Sequence, residues 1–171
     1  DTFKFCNLAV DGTDHILWTF QDYPNECSIW YAKSDKMGNA ITSPTKLFTA
    51  TDSTLTKFAQ PEIAVDGDGN LHFTWYDTDG STSWLPVKGS GIWYAKLSPS
   101  LQILVGPKKL FTHEHGFSDN AMVIDALDNV HLLFRDGDLQ DLWYARLRKD
   151  GSVSSAPFVR FASGTDVRYE H

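Results

Sequence analysis

Pro61–Asp77, PEIAVDGDGNLHFTWYD, followed by Gly91–Leu97, GIWYAKL, and by Lys108–Thr112, KKLFT, make up one complete copy of a unit that the chain writes three times. Asp66, Trp75 and Asp77 recur 55 residues earlier as Asp11, Phe20 and Asp22, and 59 residues later as Asp125, Phe134 and Asp136. The second half recurs as well. Ile29–Lys33 and Ile92–Lys96 both read IWYAK, Leu142–Arg146 reads LWYAR, and each is followed by a proline (Pro44, Pro107, Pro157) and a phenylalanine (Phe48, Phe111, Phe161). Units repeated at this spacing bury their apolar faces on one another, so the repeat decides the architecture before single residues are weighed.

Within a copy the period is two. Leu71–Tyr76 and Ile92–Lys96 are short runs rich in aromatic and apolar residues bounded by turn formers, which reads as strands, and no segment has helical periodicity. Each copy supplies four: an inner strand ending at Asp11, Asp66 or Asp125, a second ending at Asp22, Asp77 or Asp136, a third carrying the WYA triplet, and an outer one ending near Phe48, Phe111 or Phe161. Asp, Gly and Asn at 11–14, 66–70 and 125–129 suit the tight turn between the first two strands. Four antiparallel strands repeated in this way predict an all-β fold, a β-propeller made of three blades. Their bounds are about 3–49, 58–112 and 118–162 within one domain spanning 1–171, with 163–171 falling in an inter-blade connection.

The sequence P-x-I-A-V-D-x-x-G-N-x-H-F-x-W-x-D followed by I-W-Y-A-K resembles blades of the sialidase-like propellers, the group described by BNR repeats, over essentially the whole chain. The resemblance implies fold. It departs in the Asp-box turn between third and fourth strands: Ser34–Asn39 and Lys149–Ser152 keep only an acid and a glycine, and Ser98–Leu101 keeps neither. Propellers close with about four to eight blades, so three leave two apolar faces open. Two readings follow: a homodimer of this chain completing a six-bladed ring with two-fold symmetry, or three blades of a longer protein.

Composition narrows the partners. A net charge of −7 with scattered lysines and arginines argues against nucleic acid, and no run is long and apolar enough to span a bilayer. Cys6 and Cys27 are too few for a zinc pattern and are either a disulfide or two small core residues. Both map to the same rim of the first blade, Cys6 just before the inner strand and Cys27 where the third strand starts. Bonded, they would indicate an oxidising, extracellular or cell-surface location.

Ligand chemistry is expected at the rim that collects the loops into the inner strands, 50–60 and 113–120, and those between second and third strands, because loops on a rigid scaffold are where binding residues concentrate. Asp77–Gly91 is the longest of these loops, and its Trp84 has no counterpart in the other copies. Asp22, Asp77 and Asp136 repeat at that rim, either capping their own loops through backbone N–H groups or forming a ring of carboxylates for sugar hydroxyls or acid–base work. The preceding residues Gln21, Tyr76 and Arg135 differ between copies, as ligand contacts would, and Tyr23 is adjacent. His72 and His131 read as satisfied inter-blade histidines, and His113 and His115 as a weak metal motif. Asp66, Asp68 and Asn70 resemble the start of a calcium loop but lack the later bidentate glutamate, so no cofactor is expected beyond that one weak calcium candidate. The expected function is a lectin-like module that recognises carbohydrate or another polar ligand at the rim. A polysaccharide-degrading glycosidase or lyase is the first alternative, and a structural assembly role the second.

Overall fold

The computed structural model of the chain describes residues 2–23, 28–50, 57–78, 90–137 and 141–161. They form three four-stranded antiparallel sheets, with no helix among the described residues. The first sheet orders β1 (Thr2–Val10), β2 (Ile16–Tyr23), β3 (Ile29–Ser34) and β4 (Ala40–Phe48); the second β5 (Lys57–Val65), β6 (Leu71–Thr78), β7 (Gly91–Leu97) and β8 (Ile103–Thr112); the third β9 (Phe117–Ile124), β10 (Val130–Asp136), β11 (Leu142–Leu147) and β12 (Val153–Phe161). Each sheet is an up-and-down meander in chain order, which is the blade read from the repeat. The inner strands sit side by side: β5 packs on β1 and β2 on one side and on β9 on the other.

The blades stack through two cores. Between the first and second blades lie Leu17, Ile29, Tyr31, Phe48, Phe58, Phe73 and Trp75, all buried. Tyr76, Ile92, Tyr94, Phe117, Met122, Leu132 and Phe134 fill the gap between the second and third. Alternation along each strand explains the split. Leu71, Phe73 and Trp75 point from β6 toward the first blade while His72, Thr74 and Tyr76 point toward the third, so β6 is buried at every residue. The indole of the WYA triplet stacks on the aromatic opposite it, with ring centroids 6.3 Å apart for Trp75–Trp93 and 6.4 Å for Phe20–Trp30.

The turns are built by the repeated aspartates. Oδ1 of Asp66 accepts the backbone N–H groups of Asp68 (3.0 Å) and Asn70 (2.8 Å), and Asp11 and Asp125 do the same for Thr13 and His15 and for Leu127 and Asn129. The decayed Asp-box turns keep this device, with Asp35 accepting from Met37 and Asn39 and Asp150 from Ser152. In the turn without an acid, Ser98 Oγ accepts from Gln102 N. The acid kept in these turns satisfies backbone N–H groups, and in the first blade it also accepts from the Asn39 side chain.

One boundary differs from expectation. The segments assigned to loops ahead of the inner strands are partly strand: β5 starts at Lys57 and β9 at Phe117, and Cys6 lies inside β1. Gln60 and Pro61 look like breakers, yet on an edge strand a β-bulge accommodates both and the ladder resumes after it.

Candidate functional site

The rim is defined by three aspartates at or next to the C-terminal ends of β2, β6 and β10: Asp22, Asp77 and Asp136. All are buried. Asp22 Oδ1 accepts the N–H of Ser28 at 2.5 Å, and Asp77 Oδ1 that of Gly91 at 2.6 Å, so each carboxylate ties the end of a second strand to the start of the third. Asp77 Oδ2 also pairs with Lys109 Nζ at 2.6 Å, and Asp136 Oδ2 lies 2.9 Å from His113 Nδ1. Gly91 is required there: a Cβ would meet the Phe111 carbonyl oxygen at 2.0 Å.

At the same end, each inner strand carries a bulge. Register breaks between Lys4 and Asn7, between Ala59 and Glu62, and between the partners of Phe134 and Arg135. The bulged residues Phe5, Gln60 and Asp119 adopt φ of 50°, 47° and 41°, a region non-glycine residues seldom occupy. Sequence reading missed all three. The available signal was an amide or acid interrupting an apolar strand beside a proline or asparagine, at Gln60-Pro61 and Asp119-Asn120.

Around these bulges the structure gathers some of the expected residues. Arg135 Nη2 pairs with Asp119 Oδ2 at 2.5 Å, both partly exposed. Tyr76 lies in their field but is buried between the second and third blades, and burial, reinforced by Asp119, pushes its hydroxyl well above the usual tyrosine range. Gln21 is fully buried, and its Oε1 accepts from Gln60 N at 3.4 Å. Glu62, just past the bulge on β5, accepts Asn7 Nδ2 at 2.9 Å from the neighbouring blade, and burial pushes its carboxyl up to about 7. Trp84 and Cys27 lie outside the described residues, as does the Tyr23 side chain. Cys6 is exposed and forms no disulfide among the described residues; its expected partner Cys27 lies outside them, so the disulfide stands as an expectation.

The other candidates sit elsewhere. Asp66 is at the opposite end of β6, where burial raises its carboxyl but hydrogen bonds from Lys96, Asn70 and His72 outweigh that and hold it well below the carboxylate range. Lys96 Nζ lies 2.7 Å and His72 Nε2 3.2 Å from Asp66 Oδ2, and Asp68 pairs with Lys149 at 2.7 Å. Ammonium and ring N–H groups thus meet the Asp66 and Asp68 carboxylates at this turn. His72 is fully buried, with Tyr94 OH 2.9 Å from its Nδ1, as expected of an inter-blade histidine. His113 turns inward against Phe117 and Trp143. Among the described residues no group of three or more histidines, cysteines or acids is placed to hold a metal ion.

No protein-family model matches the chain, and neither does any curated protein. Solved structures do. An exo-β-1,3-galactanase from Clostridium thermocellum superposes with a TM-score of 0.64 at 10% identity, covering 88% of this chain and 35% of that one. An endo-arabinase from Bacteroides thetaiotaomicron gives 0.61 at 19% identity (94% and 56%), and a Hadza microbial sialidase 0.62 at 12% (92% and 37%). The three sheets are blades of a β-propeller, similar blade by blade to the sialidase-like propellers. At these identities the likeness carries the fold, and the chain spans between about a third and just over half of those proteins.

Proposed function

We propose that this chain is a carbohydrate-binding module, secreted or displayed at a cell surface, that takes its ligand at the bulged rim. One observation carries the reading. Three inner strands repeat the same costly backbone device at the same place and put a different side chain on it each time, Phe5, Gln60 and Asp119. A device that served the fold alone would favour glycine, which adopts φ > 0 without strain. Keeping the backbone and varying the side chain is what contact with an asymmetric polar ligand requires. Gln60 and the Asp119–Arg135 pair supply donors and acceptors suited to sugar hydroxyls, and Trp84, on the long loop after Asp77, supplies a face for stacking. The structural similarity to a galactanase, an arabinase and a sialidase supports a saccharide as the ligand class.

Glu62 favours a second reading, polysaccharide cleavage. A carboxyl pushed up to about 7 beside the rim is matched to proton donation at neutral pH, whereas the burial-raised Tyr76 hydroxyl is a poor base there. A glycan array followed by calorimetry and a turnover assay on the same polysaccharides separates the two. Binding without turnover, weakened at least tenfold by Trp84→Ala or Asp119→Ala with the melting temperature held within about 2 °C, is the expected result. Turnover that Glu62→Gln abolishes establishes the second reading, and no saccharide binding at all refutes both.

A further inference from the structure

We infer that the open face of the third blade docks on the open face of the first blade of a second copy, so that two chains close one six-bladed ring. The two faces are the unmatched halves of an interface that the chain already makes twice. On the first blade, Phe3, Leu8 and Trp18 are 49%, 55% and 38% exposed, while their counterparts one repeat later, Phe58, Ile63 and Phe73, are 4%, 4% and 0% exposed against the first blade. On the third blade, Leu133 is 38% exposed where its counterparts Thr19 and Thr74 are fully buried. Val123 is 64% exposed at the position where Ala64 packs into the core between the second and third blades.

Polar detail repeats with the same offset. In the second blade, Asp66, His72 and Tyr94 form a relay sealed beneath the third blade, and Gly151 from that blade's outer turn lies under the Tyr94 ring, where a Cβ would come within 2.8 Å of Cε1. The third blade builds the same relay from Asp125, His131 and Tyr144, with distances of 3.1 and 2.7 Å, but on its open face. The counterpart of Gly151 is Gly38, on the first blade's outer turn, with the same positive φ and nothing within 4 Å of where its Cβ would stand. A shallow apolar cavity reaches from Trp18 and Phe20 to Gly38 and Pro44 on the first blade, and another lies among Val123, His131, Leu133 and Tyr144 on the third. Seating Tyr144 of one copy over Gly38 of the other fills both in the way Tyr94 and Gly151 already do.

For an assembly of this 171-residue chain alone, ring arithmetic fixes the count. Propellers close with about four to eight blades, so three cannot close alone, two copies give six, and three copies exceed the range. Two copies related by a two-fold axis bury both faces of each chain and leave none to recruit a third. The second copy also brings its own Phe5, Gln60 and Asp119 to the same axis, which makes the rim an assembly of both chains.

Sedimentation velocity and light scattering of the 171-residue chain at 1 to 50 μM test this. The expected particle has twice the 19.2 kDa chain mass. Leu8→Glu on the first blade and Val123→Glu on the third, both at exposed positions of the single chain, should each weaken the dimer at least 100-fold and leave the far-ultraviolet spectrum unchanged. Ile103→Glu, on the outer strand of the middle blade, should leave the mass doubled. A folded monomer at 50 μM overturns the inference, as does a dimer that survives both face substitutions, or an open-ended series of larger particles.

Discussion

Glu62 offers the sharpest quantitative test of the packing between the first and second blades. Its carboxyl is pushed up from an ordinary 4.5 to about 7 by burial, and the one hydrogen bond it receives among the described residues comes from a neutral amide, Asn7 Nδ2. A carboxyl with a raised pKa binds its proton more tightly folded than unfolded, so its burden on stability is absent below pH 4.5, grows as pH rises, and is complete above about pH 7. A change of that size corresponds to roughly 3 kcal/mol of disfavoured carboxylate, which partial exposure and solvent screening reduce to about 1–2 kcal/mol. Glu62→Gln keeps an oxygen to accept from Asn7 and removes the charge. Melting at equal protein concentration should show no difference from the parent at pH 4.5 and a rise of about 3–6 °C at pH 8, given roughly 2–4 °C per kcal/mol for a domain of this size. An equal shift at both pH values would trace the effect to shape rather than ionisation. A loss of stability at pH 8 would show that the carboxylate itself favours the fold, and would refute the reasoning.

Two substitutions test the frame that holds the rim. Trp75→Ala removes a fully buried indole stacked between Phe48 and Trp93 and should cost about 3–5 kcal/mol by chemical denaturation; a loss under 1 kcal/mol would mean that the inter-blade core does not hold the blades together. Gly91→Ala drives a methyl group into the Phe111 carbonyl, and the strain should cost about 1–3 kcal/mol through the β7–β8 pairing. A neutral result would show that this close approach relaxes freely.

Blade count, strand order and the identity of the inner strands were legible in the sequence because each rests on something written three times. Asp66-Gly67-Asp68-Gly69-Asn70 resembles a calcium loop, but the third residue changes from copy to copy (Thr13, Asp68, Leu127) while the first aspartate is kept, and in all three turns that aspartate accepts backbone N–H groups. Asp22, Asp77 and Asp136 were open to two readings from their triplication, loop cap or carboxylate ring; two of them do close their loops by accepting a backbone N–H. What stayed hidden is what a repeat does not encode. A bulge has no fixed composition, since Phe5, Gln60 and Asp119 share a backbone conformation and nothing else, and an eye trained on alternation places the strand start after them. The displaced pKa of Glu62 was equally hidden, because it depends on what the neighbouring blade sets around one carboxyl.

That division says where to look for function in this fold. Residues conserved between copies answer to constraints each blade meets alone, namely its turns, its stacked indole and its loop clamp. Residues that differ at equivalent positions answer to surroundings the blades do not share, and there are two such surroundings here. One is the axis, where Phe5, Gln60 and Asp119 diverge on a common backbone. The other is the pair of end faces, where counterparts are buried in one blade and exposed in another. At the end faces the side chains stay apolar or keep the Asp–His–Tyr relay despite their exposure, as side chains do when a further blade is to cover them. At the bulged rim they diverge in size, polarity and charge while sharing a positive φ, and the proposed ligand contact rests on that divergence.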